Sequence, residues 1–229
     1  MPVLPGVPPV EVHLKRSARA RRFSLRVSRM DGRVTLSVPV RAREAEAMAF
    51  LCGQEAWLRA TLAALPVPAG LVGVGSVIPV EWRLLTIAPG TGRAIKVEGD
   101  ALLVPGDSAV VGAQVMAWLR VMARDRLAAA STHYAGLLGR RYTRLTLRDT
   151  RSRWGSCTAD AALMYSWRLI MAPPAVLDYV AAHEVAHLVE MNHSDAYWAV
   201  VSRIYPGWKV QRDWLRRQGG ALHSYRFGD

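Results

Sequence analysis

Three histidines constrain this chain more than any other feature. His183 and His187 are four residues apart, so on an α-helix they lie about 40° apart, one turn above the other. His193 follows six residues after His187. On a continuous helix it would point roughly 80° away from His183 and sit about 15 Å further along the axis. The three rings can meet only if the helix ends soon after His187 and the chain folds back. The sequence predicts that end near Glu190–Met191, with Asn192 as the turning residue, because asparagine tolerates the left-handed conformation at helix ends. Ser194 is then placed to cap a second helix carrying Tyr197, Trp198, Val201 and Ile204. The first helix opens at Pro173-Pro174, and Val176, Leu177 and Val180 begin an apolar stripe that continues through Leu188.

Imidazoles gathered in this way suit a zinc ion, which takes nitrogen ligands at about 2.0–2.1 Å in tetrahedral geometry. Three protein ligands leave a fourth position for water. Glu184 sits beside the histidine face, where its carboxylate can take a proton from that water without being a ligand. Glu190 is a rival third ligand, three residues after His187 on the same face. Asp195, Tyr197 and His223 are further candidates, each with an alternative role at the surface or in packing. His133 is read as a packed or solvated histidine outside the site.

Composition bounds the alternatives. A chain of 229 residues with 51% apolar content can bury a substantial core as one domain or two small ones. No apolar run approaches the 18 or so residues of a membrane span. The start, with Pro2, Pro5, Pro8 and Pro9, does not resemble a secretion signal and reads as a disordered lead-in. Cys52 and Cys157 are the only cysteines, which fits a reducing cytoplasm rather than a disulfide framework. Cys157 is read as a small buried thiol. The net charge of +12 comes from arginine, since Lys15, Lys96 and Lys209 are the only lysines. Such charge attracts phosphates on nucleic acid or nucleotides, or an acidic partner; it also arises from an Ala- and Arg-rich composition. Arg16, Arg19, Arg21, Arg22, Arg26 and Arg29 form the densest cluster, and no nucleic-acid-binding motif accompanies them.

The pattern along the chain is α+β. A lead-in over 1–10 is expected to precede a β-rich domain over 11–105 and a mainly helical domain with a small sheet over 106–229, which carries the three histidines. In the first part, Phe23, Leu25 and Val27 alternate through 21–28, Asp31-Gly32 makes a turn, and Val34, Leu36 and Val38 resume the alternation. A helix is expected over about 43–64, a connector over 66–75, and strands over 78–88, 94–98 and 102–104. In the second part a helix spans about 108–138, Gly139 ends it, and strands follow over 142–148 and 162–170. The strand at 163–170 can present an edge to an extended peptide. No internal repeat stands out.

Several runs occur in a fixed order: Ser152 to Cys157, Trp167 to Ile170, Ala172-Pro173, Asp178 to Val180, His183 to Leu188, Asn192 to Ser194, and Trp198. Together they resemble the YgjP-like family of zinc-dependent metallohydrolases, which is related to the SprT-like proteases. The resemblance covers roughly 11–222. It implies a zincin-like catalytic domain over 106–229, with one zinc ion on His183, His187 and His193 and Glu184 as general acid and base. The ligand spacing also looks like that of metzincin proteases, with Glu190 where those place a turn-making glycine. Ser166 stands where the family commonly shows asparagine before Trp167. Arg153, Tyr165 and Arg168 are candidate oxyanion donors or substrate contacts.

Three readings of the whole follow: a cytoplasmic zinc metallopeptidase acting on peptide or protein, a zinc hydrolase of another bond such as a nucleotide phosphoanhydride, or a non-catalytic binding module with structural zinc. Glu184 argues against the last, because a structural site needs no base.

Overall fold

A computed structural model describes residues 3–28, 32–63 and 70–228. They fall into two compact units, residues 1–67 and 68–229, each with its own apolar core. The architecture is α+β.

In the first unit, β1 (Val3–Leu4), β2 (Val10–Ser17), β3 (Ser24–Val27) and β4 (Val34–Pro39) form one sheet in the order β1-β2-β4-β3. The alternation legible in the sequence decides its faces: Val34, Leu36 and Val38 are buried while Thr35 and Ser37 face the other way. The helices α1 (Glu44–Gly53) and α2 (Glu55–Ala63) add Ala47, Leu51 and Leu58 to this core. The single helix expected over 43–64 is therefore two, divided at Gln54 just after Gly53, whose backbone freedom disfavours a helix interior. Within the lead-in expected over 1–10, the described residues 3–10 carry β1 and the start of β2. Leu4 is buried, β1 pairs with β2, and Arg59 on α2 donates to the carbonyls of Pro5 and Pro8 at 2.9 Å each. Arg29, Asp31 of the expected turn and 66–69 of the expected connector lie outside the described residues.

The second unit starts with β5 (Gly70–Leu71), then a sheet of β6 (Val77–Val80), β7 (Arg83–Gly90), β8 (Lys96–Glu98) and β9 (Ala101–Pro105) in the order β6-β7-β9-β8. The strand expected over 78–88 is a hairpin, turned by Glu81 and Trp82 at φ 46° and 70°, the paired left-handed conformation that a two-residue turn between twisted strands requires. This sheet follows the same path as that of the first unit: an antiparallel pair, a parallel neighbour, then an antiparallel edge. A repeat of topology is thus present where the sequence shows none.

Ile78, Leu85, Ile87, Leu102 and Val104 share one core with Val115, Leu119 and Leu127 of α3 (Val111–Leu137). The sequence division at 105–106 falls inside this core. Gly139, at φ +61°, follows the end of α3. The third sheet contains β10 (Arg144–Arg148), β11 (Gly155–Cys157) and β12 (Ala162–Ser166) in the order β10-β12-β11. The strand expected to run to Ile170 stops at Ser166, and Trp167–Met171 form a buried 3-10 turn. β12 is accordingly central, and β11 is an edge. The chain finishes with α4 (Pro174–Ala186), α5 (Asp195–Ile204), α6 (Trp208–Gln218) and β13 (Tyr225–Arg226), which pairs with β5. Among the described residues no helix is long and apolar enough to cross a membrane.

Candidate metal centre

α4 starts with Pro174 at its first turn, where a missing amide costs nothing, and buries Val176, Leu177, Val180 and Val185. His183 lies on its last turn and His187 caps its C-terminus. From there the helix tightens: the amides of His187, Leu188 and Val189 bond to carbonyls three residues back, at 3.3, 2.9 and 3.0 Å. The regular helix thus ends at Ala186, earlier than the sequence suggested. Asn192 is not left-handed; among the described non-glycine residues only Glu81, Trp82 and Ala161 have positive φ. The reversal closes instead with the Ser194 amide donating to the Asn192 carbonyl at 2.8 Å. Ser194 then caps α5, its hydroxyl accepting from the Tyr197 amide at 3.4 Å.

This turn returns His193 to the other two histidines. One nitrogen from each of His183, His187 and His193 lies within 4.8 Å of the others. The Nε2 atoms of His183 and His193 are 3.1 Å apart, close to the roughly 3.3 Å between two nitrogens on one tetrahedral ion with bonds of about 2.0–2.1 Å. His187 Nδ1 donates to the Glu190 carbonyl at 3.0 Å, which leaves the Nε2 lone pair for a metal and fixes the tautomer. Burial, with the other two histidines, pushes His183 down to about 3, and burial also lowers His187. Neutral imidazole is the form that binds metal. The donor set therefore fits a divalent ion. Glu190 contributes its backbone carbonyl, and its side chain is not in the cluster.

Tyr197 is fully buried against these rings. Its hydroxyl donates to the His183 carbonyl at 2.9 Å and its ring stacks on His187 at 4.5 Å. It is a packing partner of the three histidines, and no sequence pattern announced that contact. Asp195 starts α5, and His223 packs at a tilt against Trp154, ring centroids 5.1 Å apart; neither belongs to the histidine cluster.

Glu184 is 6% exposed and points at the edge strand β11. A Cβ on Gly155 would fall 2.6 Å from its Cγ and Oε1. Glycine in a strand often marks such a close approach, and this was the signal available in the Arg153–Cys157 run. Burial pushes the Glu184 carboxyl up to about 8, with the Arg153 guanidinium acting in the opposite direction. Both residues line a cavity of about 460 Å³ with the three histidines, Ser156 and Cys157. Burial and the neighbouring Glu184 and Asp160 push the Cys157 thiol up to about 11, so it stays a thiol at neutral pH and is a poor nucleophile.

The other two candidate contacts are engaged elsewhere. Arg168 is buried, donates to both Asp149 carboxylate oxygens at 2.7 and 3.0 Å, and reaches the carbonyls of Leu222 and Tyr225 at 2.9 and 3.0 Å. It ties the C-terminal segment to the body of the unit. Tyr165 is fully buried with its hydroxyl 3.0 Å from that of Ser131. Neither lines the cavity of the three histidines, and neither does Ser166, whose buried hydroxyl has no hydrogen-bond partner among the described residues.

No curated protein matches the chain in sequence. Among solved structures, the crystal structure of the metallopeptidase zymogen of Pyrococcus abyssi abylysin is similar over 41% of this chain and 95% of its own, at 18% identity and a TM-score of 0.37. A family model described as YgjP-like, metallopeptidase domain, matches residues 21–218. With most of its length matched by that model, the chain belongs to the YgjP-like metallopeptidase family.

Proposed function

We propose that this chain is a zinc-dependent metallopeptidase in which His183, His187 and His193 hold one zinc ion and Glu184 is the general base. The observation that carries this reading is the convergence of three imidazoles and one buried carboxylate on a single cavity. Zinc bound there supplies the Lewis acidity that activates water and polarises the scissile carbonyl. Glu184 takes the proton released as water attacks the amide carbon, and passes it to the leaving amine nitrogen. Arg153 lines the same cavity and offers guanidinium donors to the oxygen on which charge develops. The Glu190 carbonyl and Tyr197 hold the histidines in orientation.

The substrate in this reading is peptide or protein. Two separate free cysteines support a cytoplasmic setting. The test is to incubate the zinc-loaded protein with panels of peptides and nucleotides. Amide cleavage that stops with a zinc chelator and returns with added zinc supports the proposal. Phosphoanhydride cleavage without peptide cleavage contradicts it, and favours the nucleotide alternative.

A further inference from the structure

The metal cavity is flanked by two more. One, of about 480 Å³, lies over the outward face of the third sheet and shares Ser152, Arg153 and Ser156 with the metal cavity. The other, of about 430 Å³, shares His187 and Met191 with it. Their linings include Arg140, Arg141, Arg144, Arg148 and Arg153, all exposed, and among the described residues Glu184 is the one carboxylate that lines them. Asp160 stands 4.0 Å from Arg144, with both side chains mostly exposed, so it offsets one charge weakly.

The sheet register sets the scale of this face. Thr146 on β10 pairs with Met164 on β12, which pairs with Ser156 on β11. Side chains alternate across a strand, so Arg144, Thr146 and Arg148 share the face of Ser156, while Gly155 and Cys157 face the other way, as Glu184 beside Gly155 requires. The β10 arginines therefore lie on the sheet face opposite Glu184, two strands or about 10 Å from β11, and the shared lining of Ser152, Arg153 and Ser156 joins the two cavities around the β11 edge. Among the described residues, no phenylalanine, tyrosine or tryptophan lines any of the three cavities. A single-stranded nucleic acid would therefore find charge but no aromatic ring on which to stack its bases.

We propose that the metal site acts on acidic stretches of polypeptide, with Arg144 and Arg148 binding aspartate or glutamate side chains on the part of the substrate that passes around the β11 edge from the scissile bond. This rests on the peptidase reading above. The test uses full-length, zinc-loaded Glu184→Gln protein and three fluorescent probes: a glutamate-flanked decapeptide, its glutamine-substituted counterpart, and an oligothymidylate of equal charge. Fluorescence anisotropy reads binding. The glutamate peptide is expected to bind about tenfold more tightly than the glutamine peptide, the effect of two or three such pairs. The preference is expected to shrink with salt and largely vanish in the Arg144→Gln/Arg148→Gln variant, which keeps both exposed positions hydrophilic. Equal binding of the two peptides, or a preference that survives the double substitution, overturns the inference. So does tighter binding of oligothymidylate than of the glutamate peptide. Wild-type protein separates the two layers. Cleavage of both peptides at one rate, with equal binding, removes the acidic preference and leaves the peptidase. A salt-sensitive preference lost with the arginines, but with neither peptide cleaved, supports the anionic peptide site and removes the peptidase reading.

Discussion

Replacing Gly155 by alanine adds one methyl group where the proposed base has no room for it. Gly155 lies outside the left-handed backbone region, so alanine meets no backbone strain, and the whole effect is steric. Its Cβ would stand 2.6 Å from Glu184 Cγ and Oε1 and 2.8 Å from Cδ, against a comfortable carbon–carbon separation of about 3.5–4.0 Å. The carboxylate must retreat by about 1 Å. It is the end of a side chain and can move, so the cost in stability should stay near 1 kcal/mol, the low end for overpacking. A base displaced by about 1 Å loses on the order of 100-fold in rate, about 2.7 kcal/mol at the transition state. The assay is steady-state cleavage of a fluorogenic peptide, with zinc content and thermal unfolding measured on the same sample. Gly155→Ala is expected to lower kcat about 100-fold while KM, zinc content and fold change little. An unchanged kcat would refute the argument, and so would a loss explained by zinc release, because the clash is with Glu184 and not with a histidine.

Arg168→Met strips a buried guanidinium from Asp149 and from two C-terminal carbonyls. Leaving the partner charge unpaired should destabilise by about 3–5 kcal/mol, discounted toward the lower figure because Asp149 is 44% exposed; chemical denaturation reads it, and a loss under 1 kcal/mol would contradict the clamp. Acid should weaken the same region. Burial pushes His223 down to about 4, below its unfolded value near 6.5, so the unfolded chain binds the proton first and stability falls as pH drops from about 6.5 to 4. Asp149 is opposed by burial, but the Arg168 hydrogen bonds and charge hold it below the ordinary carboxylate range. Its contribution is present above the unfolded value and is lost at still lower pH. Melting temperature against pH checks both, and His223→Gln should flatten the upper part of the fall. Tyr197→Phe removes one buried hydrogen bond to the His183 carbonyl at a cost of about 1 kcal/mol; unchanged stability and zinc affinity would remove its positioning role.

The demand that the histidine helix break was legible in spacing alone, because 3.6 residues per turn leaves His193 no other way to join the cluster. How it breaks was not: residue preference pointed to a left-handed Asn192, whereas the turn is built from tightened hydrogen bonds and the Asn192 carbonyl. Strand alternation located β4 and the outward face of β10. It failed at Trp167–Ile170, where an apolar run reads alike as a buried strand or a buried turn. Arg153, Tyr165 and Arg168 were equal candidates in the sequence. Only the partners Asp149 and Ser131, distant along the chain, separate the last two from the cavity. The order given to the proline-rich start by Arg59 was likewise hidden, since no local pattern reports a hydrogen bond from another element.

The central claim is that three histidines hold zinc and that Glu184 moves the proton. Zinc stoichiometry and single-turnover peptide cleavage, measured together on wild type and Glu184→Gln, test it most directly. Wild type is expected to carry one zinc ion per chain and to cleave; Glu184→Gln is expected to carry the same zinc and lose cleavage by at least about 100-fold, the range of general-base contributions. A chain that binds no zinc, or a Glu184→Gln variant that cleaves at the wild-type rate, would contradict the account.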